Sequence, residues 1–552
     1  MKKFVFSLAL LSTLVSCVGL EQYPTNSYTD ENFWNYEANV DAALNLGYSQ
    51  CWNDNLYWYN NLLSDDVYGS RHSGDWLSVA TGMANTRNGR FSGEWNGCYQ
   101  ELRTLHTALD NLHRMKVSDE KKARYEAEWR LMRAFTYLRL ITWFGDVPFF
   151  TSNPTNAETL VARRTSADDV IRPFILGELE FAAQRLPKNT QIPAVENGRY
   201  TCGTAVALKA RVHLLNNNWE GCIEECERLM SGNFGTYDLE PDFAELFLTG
   251  HYGKESIMTI EFASDGGVEK IVRGWGLGNY VPQSIGSGGV VAFSPTQELV
   301  DCFRKLDGSE AAKADYSDRD RRFQATLAYN GCRIKVPAII NARVKVDAQG
   351  YYTCWTRKED ADYARNNDPA LMDDYNGSQD RTATGYYSLK NYAPETIGVG
   401  RNSCKPLMEY RYADILLTYA EALFEKNGTL TDDQWNKTVR RLRERAGFSG
   451  AYLNKPADAD LREAIRNERR CELALEGRRC YDVRRWALLA DPSLKETGNA
   501  YLTTTATGAP FMEGGAQIFC DNPYGIKYWF PIPAGECEQN AYLRDSQNPG
   551  WN

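Results

Sequence analysis

In three short polar stretches of the chain, Trp and Tyr stand beside Asp, Asn and Arg. The first, CWNDNLYWYNNLLSDDVYGSRHSGDW at residues 51 to 76, offers Asp65, Asp66, Tyr68, Arg71 and Trp76. The second, RGWGLGNY, carries Arg273, Trp275 and Tyr280, and the third, YYTCWTR, carries Tyr352 and Trp355. A Trp or Tyr ring has a flat apolar face and a polar edge. Beside short acids, amides and guanidinium groups, such faces suit a ligand with both C–H surfaces and hydroxyls, which is what a sugar chain presents. Groups of this kind bind best on loops held by a rigid frame. With 14 Trp, 32 Tyr and 22 Phe in the chain, many rings must also be core. Trp52, Trp58 and Trp95 sit at apolar helical spacing and are read that way.

Catalytic patterns are missing. His72, His106, His113, His213 and His251 form no His-Glu-x-x-His pair, and no carboxylate motif makes a zinc site of His106 and His113. The chain has no Gly-x-Ser-x-Gly elbow, and GWGLGN lacks the spacing of a dinucleotide loop. Asp65-Asp66 is the one tempting acid pair. Glycoside hydrolysis needs two carboxyl groups roughly 5–9.5 Å apart across a single sugar. Adjacent side chains point to opposite faces of a strand and do not converge on a helix. No metal or cofactor is expected. A net charge of −10, from 62 basic and 72 acidic residues, gives no reason to expect a nucleic-acid partner.

One more residue invites chemistry. Lys2 and Lys3 precede an uncharged, mostly apolar run over residues 4 to 16, which ends in Leu-Val-Ser just before Cys17. That run is too short for a span, which needs about 20 residues, and reads as a secretory signal. Its end looks like a bacterial lipobox, in which the Cys17 thiol is acylated and becomes the mature N-terminus. Two or three acyl chains hold a protein to a membrane where one would do so only marginally. Setting Cys17 aside leaves an odd number of the 14 cysteines, at irregular spacing. Buried free thiols are the expectation, with Cys222 and Cys226 sharing a helix face with Ile223 and Leu229.

Helices must position these groups. Trp95, Tyr99, Leu102, Leu105, Leu109 and Leu112 fall at steps of three and four, as do Tyr125, Trp129, Met132, Phe135 and Leu138. The second of these helices should stop near Gly145. Ser166 and Asp169 open a further helix as a capping box, with Val170, Phe174, Leu179 and Leu186 on one side. Residues 203 to 230 read as an antiparallel helix pair joined around Asn216 to Asn218, a repeat of tetratricopeptide shape. Residues 231 to 405 turn loop-rich, with short β-prone runs ESIMTIEF, GCRIKVPAII and NARVKV. Helices return at 409–426, 433–446 and 459–489. The fold class is therefore mainly α, a tetratricopeptide-like helix-pair scaffold carrying a large irregular loop-rich part with small β-sheets. Its divisions are a signal peptide over 1–16, helical regions over 17–230 and 406–552, and a ligand-binding part over 231–405.

Several segments together resemble the SusD/RagB family of outer-membrane nutrient-binding lipoproteins. They are RAFTYLRLITWFGDVPFF at 133–150, SPTQELVDCF at 294–303, DRDRRF at 318–323 and RYADILLTYAEAL at 411–423. Behind these come RLRERAG, IRNERRCELALEGRRCYDVRRW and FPIPAGECEQNAYLRDSQNPGW. One departure is Arg479, where the family often has Trp. The resemblance implies a surface-exposed, lipid-anchored, non-enzymatic binder of oligosaccharides. Its implied partner is a SusC-like TonB-dependent transporter in the outer membrane. Peptide capture is the alternative within the family, and a surface glycoside hydrolase the alternative from another class. Arg411, Asp414 and Glu421, at helical spacing, are read as ion pairs between helices and not as ligand groups.

If Cys17 alone carries the acyl chains, Cys17→Ala yields protein that is unprocessed or released into the soluble fraction. Labelled fatty acid recovered in that variant would refute the lipid anchor.

Overall fold

The computed structural model describes residues 30–486 and 529–551, apart from 52–53, 70–72, 81–82, 266–270, 283, 286–290, 313, 337–344, 357–372, 374–380, 383 and 395–401. Cys17, Trp52, Arg71 and most of NARVKV lie outside the described residues. No helix among the described residues is long and apolar enough to cross a membrane.

Ten principal helices carry the fold: α1 (Glu37–Cys51), α2 (Gly89–Asp110), α3 (Asp119–Phe144), α4 (Arg172–Ala183), α5 (Cys202–Leu215), α6 (Trp219–Met230), α7 (Tyr412–Asn427), α8 (Val439–Ala446), α9 (Asp458–Glu472) and α10 (Arg479–Arg485). They pack as an array in which each helix lies on the next. The order is α2 on α3, α3 on α4, α4 on α5, α5 on α6, α6 on α7 and α7 on α9. This is the tetratricopeptide-like arrangement, and one buried apolar cluster runs through it from Trp34 to Leu543.

Local chemistry sets the helix ends. Ser118 caps α3 by accepting from the Lys121 N–H, and Gly145 ends it at φ 69°. That positive φ favours glycine, and an added Cβ would also meet the Trp529 ring at 3.3 Å. The α5–α6 pair turns through Asn217 at φ 52°, and Asn218 then accepts from the Gly221 N–H to start α6. Cys222 and Cys226 are buried on α6 as expected, and the twelve described cysteines are all free.

Three expectations shift. The helix after Ser166 opens with a π turn over Ala167–Ile171, not a reciprocal capping box: Ser166 accepts from the Asp169 N–H but donates to its carboxylate. A π turn inserts an extra residue. The buried face therefore becomes Ile171, Ile175, Leu179 and Ala182, and Val170 turns to solvent. Second, Leu407–Arg411 is a strand paired antiparallel with Ser256–Ile260, so α7 begins only at Tyr412. Third, the 459–489 helix breaks between α9 and α10, where Leu475 and Gly477 take φ of 60° and 71°. A Cβ on Gly477 would lie 2.6 Å from the Tyr57 carbonyl oxygen, so the break admits segment 57–61.

The loop-rich part holds short two-stranded antiparallel sheets. Val67–Gly69 pairs with Phe293–Pro295, Leu327–Ala328 with Tyr387–Ser388, and Cys332–Lys335 with Tyr351–Cys354. They are fastened to the helices by buried ion pairs. Arg411 reaches Glu255 at 2.7 Å, Glu472 at 2.6 Å and Glu476 at 2.8 Å, all nearly inaccessible. Asp414 pairs with Arg469, and Glu421 with Arg485, so all three residues read as helix ties are that.

Removing one partner of a buried ion pair costs about 3–5 kcal/mol, because the other charge stays buried and uncompensated. Arg411→Met is expected to fall in that range by chemical denaturation. The exposed Arg440–Glu444 pair should contribute at most ~0.5 kcal/mol. Equal losses from Arg411→Met and Glu444→Gln would contradict this ranking.

Candidate functional site

The residues singled out for ligand contact divide into a buried set and a partly exposed set. Asp65 and Asp66 are buried. Arg479 grips Asp65 through Nε at 2.7 Å and a terminal nitrogen at 2.9 Å, and Arg470 Nε donates to Asp66 at 2.6 Å. Burial would raise both carboxyls. At Asp65 the Arg470 and Arg479 charges outweigh burial and hold the group well below the usual range. At Asp66 burial, aided by the neighbouring Asp65 charge, leaves it raised. The expectation of a ligand-facing acid pair gives way to a clasp that holds loop 64–66 against α9 and α10. Its physical reason is the fork of Arg479, which matches a carboxylate in two-point geometry.

Trp275 is buried at 0 % exposure, and its indole N–H donates to the Lys405 carbonyl at 2.9 Å. Tyr280 is sandwiched between Trp58 at 4.1 Å and Phe293 at 4.8 Å between centroids. The rings continue through Tyr59, 4.5 Å from Phe293, to Trp76, 5.3 Å from Tyr59. The far side of Trp76 is met by the Arg90 guanidinium, 4.1 Å from its ring centre. These aromatics therefore form one chain of ring contacts that pins the loops, stacked at Tyr280 and edge-on at Tyr59, and only Tyr59 and Trp76 at its end stay half-buried. Tyr68 is half-buried on the strand beside them. Arg273 is half-buried and donates to the Ser49 carbonyl at 3.1 Å.

The hairpin of Cys332–Lys335 and Tyr351–Cys354 sorts its residues by strand alternation. Cys332, Ile334, Tyr352 and Cys354 point inward and are buried, while Arg333 and Lys335 are exposed and Tyr351 and Thr353 half-exposed. Tyr352 is thus core: its hydroxyl donates to the buried Asp373 at 2.6 Å. The outward face instead presents Tyr351, with the Arg333 guanidinium 4.8 Å from its ring centre, and Trp355 follows half-buried just beyond the strand. Of the two adjacent tyrosines, Tyr352, expected to meet ligand, is the buried one, because it falls on the inward phase of the strand. The period-2 pattern in CRIK and YYTC was the available signal. Among the described residues no group of three or more His, Cys, Asp or Glu could hold a metal ion.

An array of helix pairs carrying a polar and aromatic surface on clasped loops defines a helical-repeat scaffold. Family models match both halves of the chain: "SusD family" over residues 254–551 and "Starch-binding associating with outer membrane" over 20–214. The chain belongs to the SusD family. It is 26% identical over its full length to the full length of SusD-like protein P2 of Formosa agariphila. It is 25% identical to a SusD-like protein of Bacteroides ovatus, over 98% of this chain and 96% of that one. A crystal structure of a SusD-like carbohydrate-binding protein of Bacteroides fragilis superposes with TM-score 0.76 at 26% identity, over 93% of this chain and 100% of that one.

The Asp373–Tyr352 pair generates a pH test. Burial raises the Asp373 carboxyl from 3.8 to about 6, against the opposing hydrogen bonds of Tyr352 and Ser284. The folded chain therefore holds a proton that the unfolded chain releases near its ordinary value. The stabilisation is complete below pH ~4 and disappears as pH rises through about 6. Relative to Asp373→Asn, the parent should lose up to about 3 kcal/mol between those limits. Parallel stability curves for parent and variant from pH 4 to 7 would disprove it.

Proposed function

We propose that the protein is a non-enzymatic, lipid-anchored binder at the cell surface that captures oligosaccharides and delivers them to a TonB-dependent transporter of the outer membrane. The observation that carries the sugar site is the outward face of the 332–354 hairpin. There Tyr351 and Trp355, both half-buried, stand beside Arg333, Lys335 and Thr353, while the opposite face is locked into the core. Rings for C–H faces and charged or hydroxyl groups for sugar oxygens meet on a preformed frame. Trp76, Tyr68 and Arg273, also half-buried, extend this surface within the reading. The loop-rich part over 231–405 then supplies most of the ligand contacts, and the helical regions supply the frame.

The remainder rests on kinship. The matching family description names starch binding and the outer membrane, and the B. fragilis structure is described as carbohydrate-binding. Cys17 provides the tether. An anchored binder without transport machinery acts by passing ligand on, and tethering beside a transporter raises the local ligand concentration.

Affinity electrophoresis over a panel of soluble polysaccharides, with peptides as the competing class, tests the site. Tyr351→Ala/Trp355→Ala should weaken binding about tenfold or more, since each lost stacking platform costs ~1–3 kcal/mol by analogy with base stacking. Undiminished affinity in that double variant would move the site elsewhere. Delivery is tested by pulling the tagged protein from its native membrane in detergent. A transporter barrel should co-purify, and repeated recovery of the protein alone would end the delivery reading.

A further inference from the structure

A cleft of about 420 Å³ opens on the helical frame, lined by none of the loop residues discussed above. One wall is a stripe of α2: Asn96, Tyr99, Arg103, His106 and Thr107, at helical spacing. Facing it are Phe150 and the 153–159 segment, with Glu536 closing one end. Its volume lies within the ~300–1,000 Å³ usual for small-molecule sites.

The walls are held in place without a ligand. Tyr99 donates to the Pro148 carbonyl at 2.7 Å, Tyr137 to the Phe150 carbonyl at 2.6 Å, and Asn153 to the Thr107 hydroxyl at 2.8 Å. The polar groups facing the space are less fully engaged. His106 is 2 % exposed, yet its Nε2 is buried with no hydrogen-bond partner. Unpaired buried polar atoms are rare in folded proteins and call for an explanation. Burial, with the nearby Arg133 charge, lowers this imidazole to about 4, so it is neutral at physiological pH. One of its nitrogens can then donate and the other accept. At the rim stand the amides of Asn96 and Asn156 and the Arg103 guanidinium, with the half-buried rings of Tyr99 and Phe150 between them.

We propose that this cleft is a second carbohydrate site, for a neutral sugar of one or two rings. The half-buried faces of Tyr99 and Phe150 take the C–H surface, and His106, Arg103 and the amides take hydroxyls. The cation Arg103 and the acid Glu536 offset one another, which favours a neutral polyol over an anionic ligand. The inference rests on the reading that the protein binds sugars, though not on the location of the loop site.

The test uses the full chain in detergent and a panel of neutral mono- and disaccharides, read by saturation-transfer NMR and by hydrogen exchange. A bound sugar should slow exchange across residues 95–107 and 148–160. Thr107→Trp, which places a ring at the cleft's exposed rim, and His106→Leu should each weaken that sugar at least tenfold. Polysaccharide affinity at the loop face should not change in Thr107→Trp. Circular dichroism and an unchanged melting temperature certify that Thr107→Trp is folded. Sugar binding unaffected in folded Thr107→Trp, or protection confined to the loop stretches, overturns the second site while leaving the loop site standing. Cleft protection that survives Tyr351→Ala/Trp355→Ala supports it, even if loop binding itself proves absent. No binding by any sugar at either place would overturn both readings.

Discussion

The loop-rich part depends on a set of charges buried where water cannot reach them. Glu472, at the end of α9, is met by Arg322, Arg411 and Arg445, while Arg411 also holds Glu255 and Glu476. Lys390 ties Glu476 to the segment after the 387–388 strand, and Asp320 and Glu468 complete the shell around Arg322. Burial would neutralise an isolated Glu472, but the Arg445, Arg411 and Arg322 guanidiniums hold its carboxyl far below the ordinary range. Such a network adds little net stability over an apolar core. Its value here is geometric, because each charged contact specifies one position for strand 407–411, helix α9 and the loops around 320 and 390.

From that anchor outward, the same logic repeats with different chemistry. The Asp65–Arg479 and Asp66–Arg470 pairs extend the charge network to loop 64–66. Where the charges end, packed rings take over, from Trp275 through Trp58, Tyr280 and Phe293 to Tyr59 and Trp76. The described loop residues are thus irregular in path but closely held. This matters for binding, since loops ordered in advance lose less conformational freedom when ligand arrives.

Arg479 is a cation almost withdrawn from water, and the structure supplies its partner. Its guanidinium holds both Asp65 oxygens, and it also lies 5.6 Å from the Trp486 ring centre. A buried partner acid makes this cation tolerable in a mostly apolar setting. The acid pair that drew attention in the sequence is the other half of that clasp.

Much of the frame could be read from residue order alone. Helical spacing marks α2, α3, α5 and α6, and Gly145 marks an end, because periodicity and helix capping are local properties of the chain. The ion-pair role of Arg411, Asp414 and Glu421 was legible as well, since the only charges in the otherwise uncharged run 411–423 need partners. What lay beyond sequence was the side of each loop residue. Trp275 and Trp355 both sit in polar, loop-rich surroundings, yet one is core and the other half-buried. Asp65 is a ligand candidate until Arg479, more than four hundred positions away, is brought against it. Tyr351 and Tyr352 exchange roles on a one-residue choice of strand phase, and that phase is set by pairing with Cys332–Lys335. Burial of a loop side chain is decided by which distant segment covers it. That is a property of the assembled fold, with no periodic signature in the loop itself.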